Sequence, residues 1–205
     1  MGIRDLPDNM NNFVDRENEL FFLEEQYKSP SASMVILYGR RRVGKTALMT
    51  KFMENKPSIY FLATEESEQQ NRNSFKELVA HFTNNELLAA SSIRQWDILF
   101  RVLIEKSQSQ KLVILMDEFQ YLGKSNPAFP SVFQKIWDTI LKDQNVMVIL
   151  CGSLISMMES QTLAYSSPLY GRRTGQIKLK QIPFQYYADF FPELSRKELI
   201  EYYSV

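Results

Sequence analysis

The chain is poor in several things, and each shortage narrows what it can be. It has one cysteine in 205 residues, Cys151, so no disulfide can form within it and a reducing cytoplasm fits. It has one histidine, His81, which reads as a structural residue of a helix rather than the centre of a metal or acid–base site. It has no net charge, with 24 basic against 24 acidic residues. A protein that coats duplex nucleic acid needs a strong basic excess, so that class is disfavoured, although a local basic patch is not. No apolar run approaches the ~18 residues of a membrane span, and no secretory leader is expected at the amino terminus. Met1-Gly2 begins like a myristoylation site, but Leu6 stands where Ser or Thr is required. Internal repeats and low-complexity tracts are absent as well.

What is present suffices for a core: 44% of residues are apolar and 13% aromatic, in a length that suits one domain or a domain plus a fragment. The most informative stretch is Met34-Val35-Ile36-Leu37-Tyr38, which runs into Gly39-Arg40-Arg41-Arg42-Val43-Gly44-Lys45-Thr46. This is the G-x-x-x-x-G-K-T pattern of a phosphate-binding loop, Walker A. A buried strand delivers the chain to a tight loop. Gly39 and Gly44 are expected to allow backbone angles that a Cβ forbids, letting main-chain N–H groups approach a phosphate. A helix over about Lys45–Glu54, beginning Lys45-Thr46-Ala47, points its positive end at the same phosphates. Lys45 is expected at the β- and γ-phosphates, and the Thr46 hydroxyl on Mg²⁺. Arg40, Arg41, Arg42 and Val43 contribute main-chain N–H groups, the arginine side chains pointing outward.

Around this stretch the chain alternates between two periodicities. Residues 1–12 are polar and read as a loose arm. A helix follows to about Tyr27, with Asp15 as its expected N-cap and Leu20, Leu23 and Tyr27 on one face, ended by Ser29-Pro30-Ser31. A strand at Ser58–Ala63 is followed by a polar stretch from Thr64 to Asn73, whose Thr64-Glu65-Glu66 reads as a solvated turn. Helices are expected near Ser74–Phe82 and Ile93–Lys106. A third strand, Lys111–Met116, ends in Asp117-Glu118. Asn126 and Pro127 are expected to open the next helix, which carries the stripe Phe129, Val132, Phe133, Ile136, Trp137, Ile140, Leu141. A fourth strand, Val146–Cys151, ends at Gly152-Ser153. After a short helix near Leu154–Ser160, Gln176–Lys180 reads as a fifth strand, and Phe184–Phe191 and Ser195–Tyr203 as helices. Apolar β-runs alternating with helices mean a parallel sheet covered on both faces, with nucleotide sites at the carboxyl ends of its strands.

The chemistry-bearing residues fall at those ends. An apolar strand carrying Asp117-Glu118 is weak evidence alone, but about 70 residues after a Walker A loop it is a Walker B pattern. Asp117 is placed to hold Mg²⁺ and Glu118 to polarise an attacking water as general base. Two strands are expected to separate the motifs in space. If the fourth strand inserts between the first and third, Ser153 comes near the γ-phosphate; the other reading makes Ser153 the cap of the following helix. Pro168–Thr174 is a basic turn whose Arg172 or Arg173 can stabilise charge on a γ-phosphate, in cis or from a neighbouring subunit, or can be a solvated basic loop.

Taken together, Phe13–Leu20, Tyr38–Thr46, Asp117-Glu118-Phe119-Gln120-Tyr121-Leu122, Cys151-Gly152-Ser153 and Leu169–Arg173 resemble the archaeal-type ATPase family. That family belongs with the STAND/AAA+ branch of P-loop NTPases, near the origin-recognition initiators. The resemblance runs from about residue 12 to about 195. It implies a three-layer α/β/α sandwich with a parallel five-stranded sheet of order 5-1-4-3-2, an extra strand between the Walker strands, and the start of a helical lid. The core then spans 13–183 and the start of a truncated lid 184–205. The resemblance also implies that the Phe13–Leu20 box packs near the adenine, with Val14 and Arg16 its contacts. A winged-helix or nuclease-like region would follow outside this chain, so a lid arginine cannot be assigned.

The expected activity is Mg²⁺-dependent ATP hydrolysis by a slow, nucleotide-controlled switch, with ATP and ADP as ligands. The alternatives are a P-loop kinase acting on a small molecule and a nucleotide-binding module with little turnover. A homo-oligomer is possible on this reading, DNA contact is not supported by the net charge, and no membrane is involved.

Overall fold

The computed structural model describes residues 15–106, 110–191 and 193–203. The expected amino-terminal arm and the candidate adenine contact Val14 lie outside those residues. The helix α1 (Glu17–Lys28) leads into β1 (Ser33–Tyr38), α2 (Lys45–Met53) and β2 (Ser58–Leu62). Three helices follow, α3 (Glu68–Thr83), α4 (Glu86–Ala90) and α5 (Trp96–Lys106), before β3 (Leu112–Asp117). Next come α6 (Gln120–Ser125) and α7 (Phe129–Ile136), the latter widening into a π turn over Trp137–Leu141. After β4 (Val146–Gly152), α8 (Ile155–Met158) again widens into a π turn, Glu159–Leu163. β5 (Gly175–Lys178) completes the sheet, and a 3-10 turn (Phe184–Tyr186), α9 (Tyr187–Phe190) and α10 (Arg196–Tyr203) follow.

All strand pairings are parallel, in the order β2-β3-β4-β1-β5, which is the expected 5-1-4-3-2 order read from the other edge. One strand, β4, lies between β1 and β3, not the two that the spacing suggested. β1, β3 and β4 are buried at every position, so both faces are apolar, as a parallel sheet between two helix layers requires. Strand alternation divides the core. Met34, Ile36, Ile114, Met116, Val148 and Leu150 face one layer, where Phe61, Phe75, Trp96, Phe100, Phe119, Phe129 and Phe133 pack ring against ring. Val35, Leu37, Val113, Leu115, Met147 and Ile149 face the other, covered by Leu23 of α1 and Leu48, Met49 and Phe52 of α2. Burying a side chain of this size contributes about 1.5–3 kcal/mol, so each layer supplies a rigid wall against which loops can be held.

Several boundaries differ from those expected, α3 beginning at Glu68 and not near Ser74, and two expected helix caps change. Asp15 does not cap α1: Arg16 occupies the N-cap position without a side-chain cap bond, and Asp15 sits at φ 56. Asn126 does not open one long helix with Pro127. It closes α6, its N–H donating to the Leu122 carbonyl, and its Oδ1 accepts from the Ala128 N–H to turn the chain into α7.

Candidate functional site

The carboxyl ends of the strands are knitted into one platform. The Gly39 N–H donates to the Gly152 carbonyl, Phe119 N–H to Cys151, Ala63 N–H to Asp117 and Leu179 N–H to Tyr38. Above this platform lies a cavity of about 640 Å³ lined by Arg41, Arg42, Gly44, Lys45, Thr46, Ala47, Leu62, Ala63, Thr64, Glu65, Asp117, Glu118 and Tyr121. The two halves of the expected site therefore meet in one space.

The phosphate loop owes its shape to three residues. Gly44 (φ 89) and Arg42 (φ 64) adopt the left-handed conformation, Gly44 serving as the N-cap of α2. Gly39 does not: it is needed for space, because a Cβ there would overlap the Leu179 carbonyl of the neighbouring strand segment. This corrects the expectation that both glycines supply unusual backbone angles. Lys45, the first residue of α2, is buried, and its Nζ donates to the Gly39 and Arg40 carbonyls at 2.9 Å each. The first N–H groups of α2 have no intrahelical acceptor, and Lys45, Thr46 and Ala47 of that first turn line the cavity. Arg40, Arg41 and Arg42 are exposed, but Arg41 and Arg42 also line the cavity, and Arg41 Nη2 donates to the hydroxyl of Tyr121, another lining residue, at 3.1 Å.

Across the cavity, β3 ends on Asp117, which is buried. Its Oδ1 accepts from the Glu118 N–H (2.8 Å) and its Oδ2 from the Tyr60 hydroxyl (2.9 Å). Burial, the Asp117 charge and this bond push the Tyr60 phenol well above its ordinary range, so it is a donor at every ordinary pH. Burial likewise raises the Cys151 thiol, which also feels Asp117. Glu118 is a non-glycine residue at φ 51, a costly conformation that the surrounding structure must hold. Its Oε2 accepts from Ser153 Oγ (2.7 Å), from the Ser153 N–H (3.2 Å) and from Gln120 Nε2. Ser153 thus reaches Glu118 because β4 inserts between β1 and β3. It does not cap α8, whose N-cap is Leu154 without a side-chain bond.

A divalent cation has hard oxygen donors within reach of this cavity, since Thr46 with its hydroxyl and Asp117 with its carboxylate both line it. Among the described residues there is no cluster of three or more His, Cys, Asp or Glu side chains fit for a metal. That donor set suits Mg²⁺, which keeps several waters and takes one or two protein oxygens plus phosphate, and not a dedicated protein cage.

Arg16 is buried against the back of the phosphate loop. Its Nη2 donates to the Val43 (3.1 Å) and Lys180 (2.7 Å) carbonyls and its Nη1 to Glu19 (3.1 Å). It clamps α1, the loop and the end of β5 together, a role the sequence did not reveal. The basic turn lies elsewhere. The Thr174 N–H donates to the Met34 carbonyl at the amino end of β1, five residues before Gly39. At about 3.3 Å per residue the turn is roughly 15 Å or more from the phosphate loop of its own chain. Arg172 is tied to Asp138 through Nε–Oδ1 (2.9 Å) and Nη2–Oδ2 (2.7 Å) and donates to the Pro168 carbonyl (2.8 Å). These bonds hold the Asp138 carboxyl below the usual carboxylate range and raise Arg172. Arg173 lies over the Tyr170 ring at 5.5 Å, its buried Nη1 without a partner among the described residues. A contact in cis with the γ-phosphate is not what this placement offers.

Four contributors were given no role at the site from the sequence: Tyr60, Gln120, Tyr121 and the Thr64-Glu65 segment. Thr64, Glu65 and Glu66 are exposed, as a solvated turn would be, and Thr64 and Glu65 also line the cavity, Glu65 pairing with Lys124. Gln120 and Tyr121 carried a signal, since both stand in the Asp117–Leu122 stretch on which the family resemblance rests.

A glycine-kinked loop between a buried strand and a helix, with a buried lysine on one side and an acidic pair from a non-adjacent parallel strand on the other, defines a P-loop NTPase domain. The chain belongs to the family described as "ATPase domain predominantly from Archaea", which matches residues 13–203. It is 39% identical over 191 residues to an uncharacterized protein of Methanocaldococcus jannaschii, covering 93% of this chain and 41% of that protein. Its fold is similar to the Walker-type ATPase of Pyrococcus abyssi, with TM-score 0.69 and 22% identity over 92% of this chain and 62% of that one. It is also similar to a chain of Drosophila ORC bound to DNA, with TM-score 0.66 and 16% identity over 87% of this chain and 46% of that one. The chain thus spans about two fifths of the length of its M. jannaschii relative. No helix among the described residues is long and apolar enough to cross a membrane.

Proposed function

We propose that this domain binds ATP and hydrolyses it with Mg²⁺, its nucleotide state being read by a fused or bound partner. The observation that supports this most is the meeting, in one cavity, of Lys45 and Thr46 with Asp117 and a Glu118 anchored through a single oxygen. Lys45 would exchange its carbonyl acceptors for the β- and γ-phosphates, and the main-chain N–H groups of 40–47 would cradle them. Thr46 and Asp117 would hold Mg²⁺, which when bound neutralises phosphate charge. Glu118 would take a proton from the attacking water, Ser153 holding the carboxylate in register. Arg16, with Val14, would border the base. The turn Arg172-Arg173 would act on a neighbouring subunit if the domain assembles, and residues 184–205 would begin a lid. Membership of the STAND/AAA+ branch is part of the same reading.

A second reading, phosphoryl transfer to a small molecule, draws on the extension of the cavity past Asp117 to Leu62, Ala63, Thr64 and Glu65. Phosphate release from Mg·ATP with no acceptor present separates the two. The hydrolysis reading expects release that continues beyond one equivalent per protein. ATP binding without release would overturn it in favour of a kinase or a nucleotide-binding module.

A further inference from the structure

The oxygen of Glu118 that is anchored has a third donor besides Ser153, and that donor is itself built into the core. Gln120 is completely buried, and its Nε2 donates to Glu118 Oε2. Its own Oε1 is buried with no partner among the described residues. A buried polar atom left unpaired is destabilising, and an apolar side chain of the same shape would avoid it. The amide is therefore a poor choice for filling space and a good one for holding a carboxylate. The main-chain carbonyl of Gln120 accepts from Gln161 Nε2 (3.2 Å), in the π turn that follows α8. The Gln161 carbonyl accepts in turn from Ser167 Oγ (2.5 Å) at the start of the arginine-bearing turn. Two glycines leave room for these side chains: a Cβ at Gly152 would overlap the Gln120 amide oxygen, and one at Gly123 would overlap the Gln161 amide. Single π turns inside helices recur at functional sites, and Gln161 lies in this one.

We propose that Gln120 is a positioning residue for Glu118 and that Gln161 seats it. Three donors on Oε2 fix the carboxylate, and no donor among the described residues reaches Oε1. Oε1 is then the oxygen left to receive the proton of a water in the cavity that Glu118 lines. The consequence for turnover rests on the hydrolysis proposed above, whereas the anchoring itself concerns the protein without nucleotide.

The test uses Gln120→Met and Gln161→Met, which keep volume and remove the donors, and the double variant. Turnover and ATP affinity are measured, together with amide hydrogen exchange at Ser153 and, as a control in the core of β4, at Ile149. Gln120→Met is expected to lower kcat about tenfold, the scale of one hydrogen bond to a charged group, with ATP affinity within about twofold. Gln161→Met is expected to lower kcat less, and the double variant to match Gln120→Met, because both residues act through one carboxylate. The Ser153 amide is expected to exchange several-fold faster in Gln120→Met while Ile149 is unchanged. An unchanged kcat, or equal losses in binding and turnover, overturns the positioning role; additive effects overturn the seat. If the parent chain shows no turnover, the hydrolysis reading has failed. The Ser153 exchange then decides the anchoring alone, an unchanged rate overturning it. Should Gln120→Met fail to fold, Gln161→Met is read by the same two measurements.

Discussion

Replacing Lys45 with alanine separates the role the structure shows for its ammonium, holding the loop, from the one proposed for it, meeting the phosphates. Without nucleotide, Nζ donates to the Gly39 and Arg40 carbonyls at 2.9 Å, the first of these bonds buried and the second partly exposed. Water can replace the donor at Arg40 but not readily at Gly39, so the loss falls mainly on one buried acceptor, about 1–3 kcal/mol. For a domain of this length each kcal/mol lowers the melting temperature by about 2–4 °C, so the variant is expected to melt roughly 2–12 °C lower than the parent. With nucleotide the second role appears. ATP at about 100 times its Kd stabilises the parent by about 2.7 kcal/mol, a rise of roughly 5–11 °C. The variant lacks the charge that meets the phosphates and is expected to rise by less than about 1 °C at the same ATP concentration. Thermal unfolding with and without Mg·ATP reads both effects. A variant that gains as much as the parent refutes the assignment of Lys45 to the phosphates. A variant that melts with the parent in the absence of ATP refutes the claim that the ammonium holds the loop.

Other residues divide in similar ways. Asp117→Asn is expected to weaken nucleotide affinity measured with Mg²⁺ while leaving affinity measured with a chelator present within about twofold, since it removes a hard oxygen donor and not a phosphate contact. Arg172→Ala breaks a partly exposed bidentate pair and is expected to cost about 0.5–1 kcal/mol in urea unfolding near neutral pH. Because Arg172 depresses the Asp138 carboxyl, that contribution is present above the ordinary carboxylate pKa and is lost as pH falls through the lowered one. The stability gap between variant and parent should therefore close in acid. If the turn completes a neighbour's site, specific activity rises with protein concentration, Arg172→Ala or Arg173→Ala lowers turnover more than binding, and mixing that variant with Glu118→Gln restores part of the activity; full turnover of both arginine variants at every concentration makes the turn purely structural.

The strands and the phosphate loop were legible because local chemistry fixes them. Runs such as Val146–Cys151 are apolar on both faces, which only a covered parallel strand tolerates, and Gly44-Lys45-Thr46 needs the strand before it and the helix after it. What stayed hidden depends on distant pairing. Arg172 meets Asp138 only because a π turn lies beside the basic turn, and nothing at either position marks the pair. Tyr60 reaches Asp117 through the β2–β3 register, Leu62 being aligned with Asp117. Asn126-Pro127 was misread because an Asn before a Pro signals a turn as readily as a helix start. The placement of β4 between β1 and β3 came from the family resemblance, since no residue pattern orders strands in a parallel sheet. That placement is what brings Ser153 to Glu118.

In the proposed function Glu118 activates water while Lys45, Thr46 and Asp117 bind the nucleotide. The most direct measurement compares Glu118→Gln with the parent chain in acceptor-free phosphate release and in equilibrium ATP binding. The account predicts ATP affinity within about threefold of the parent and hydrolysis slowed by something on the order of 10²–10⁴, the usual worth of a general base. Release as fast as the parent's would contradict it and place the base elsewhere in the cavity.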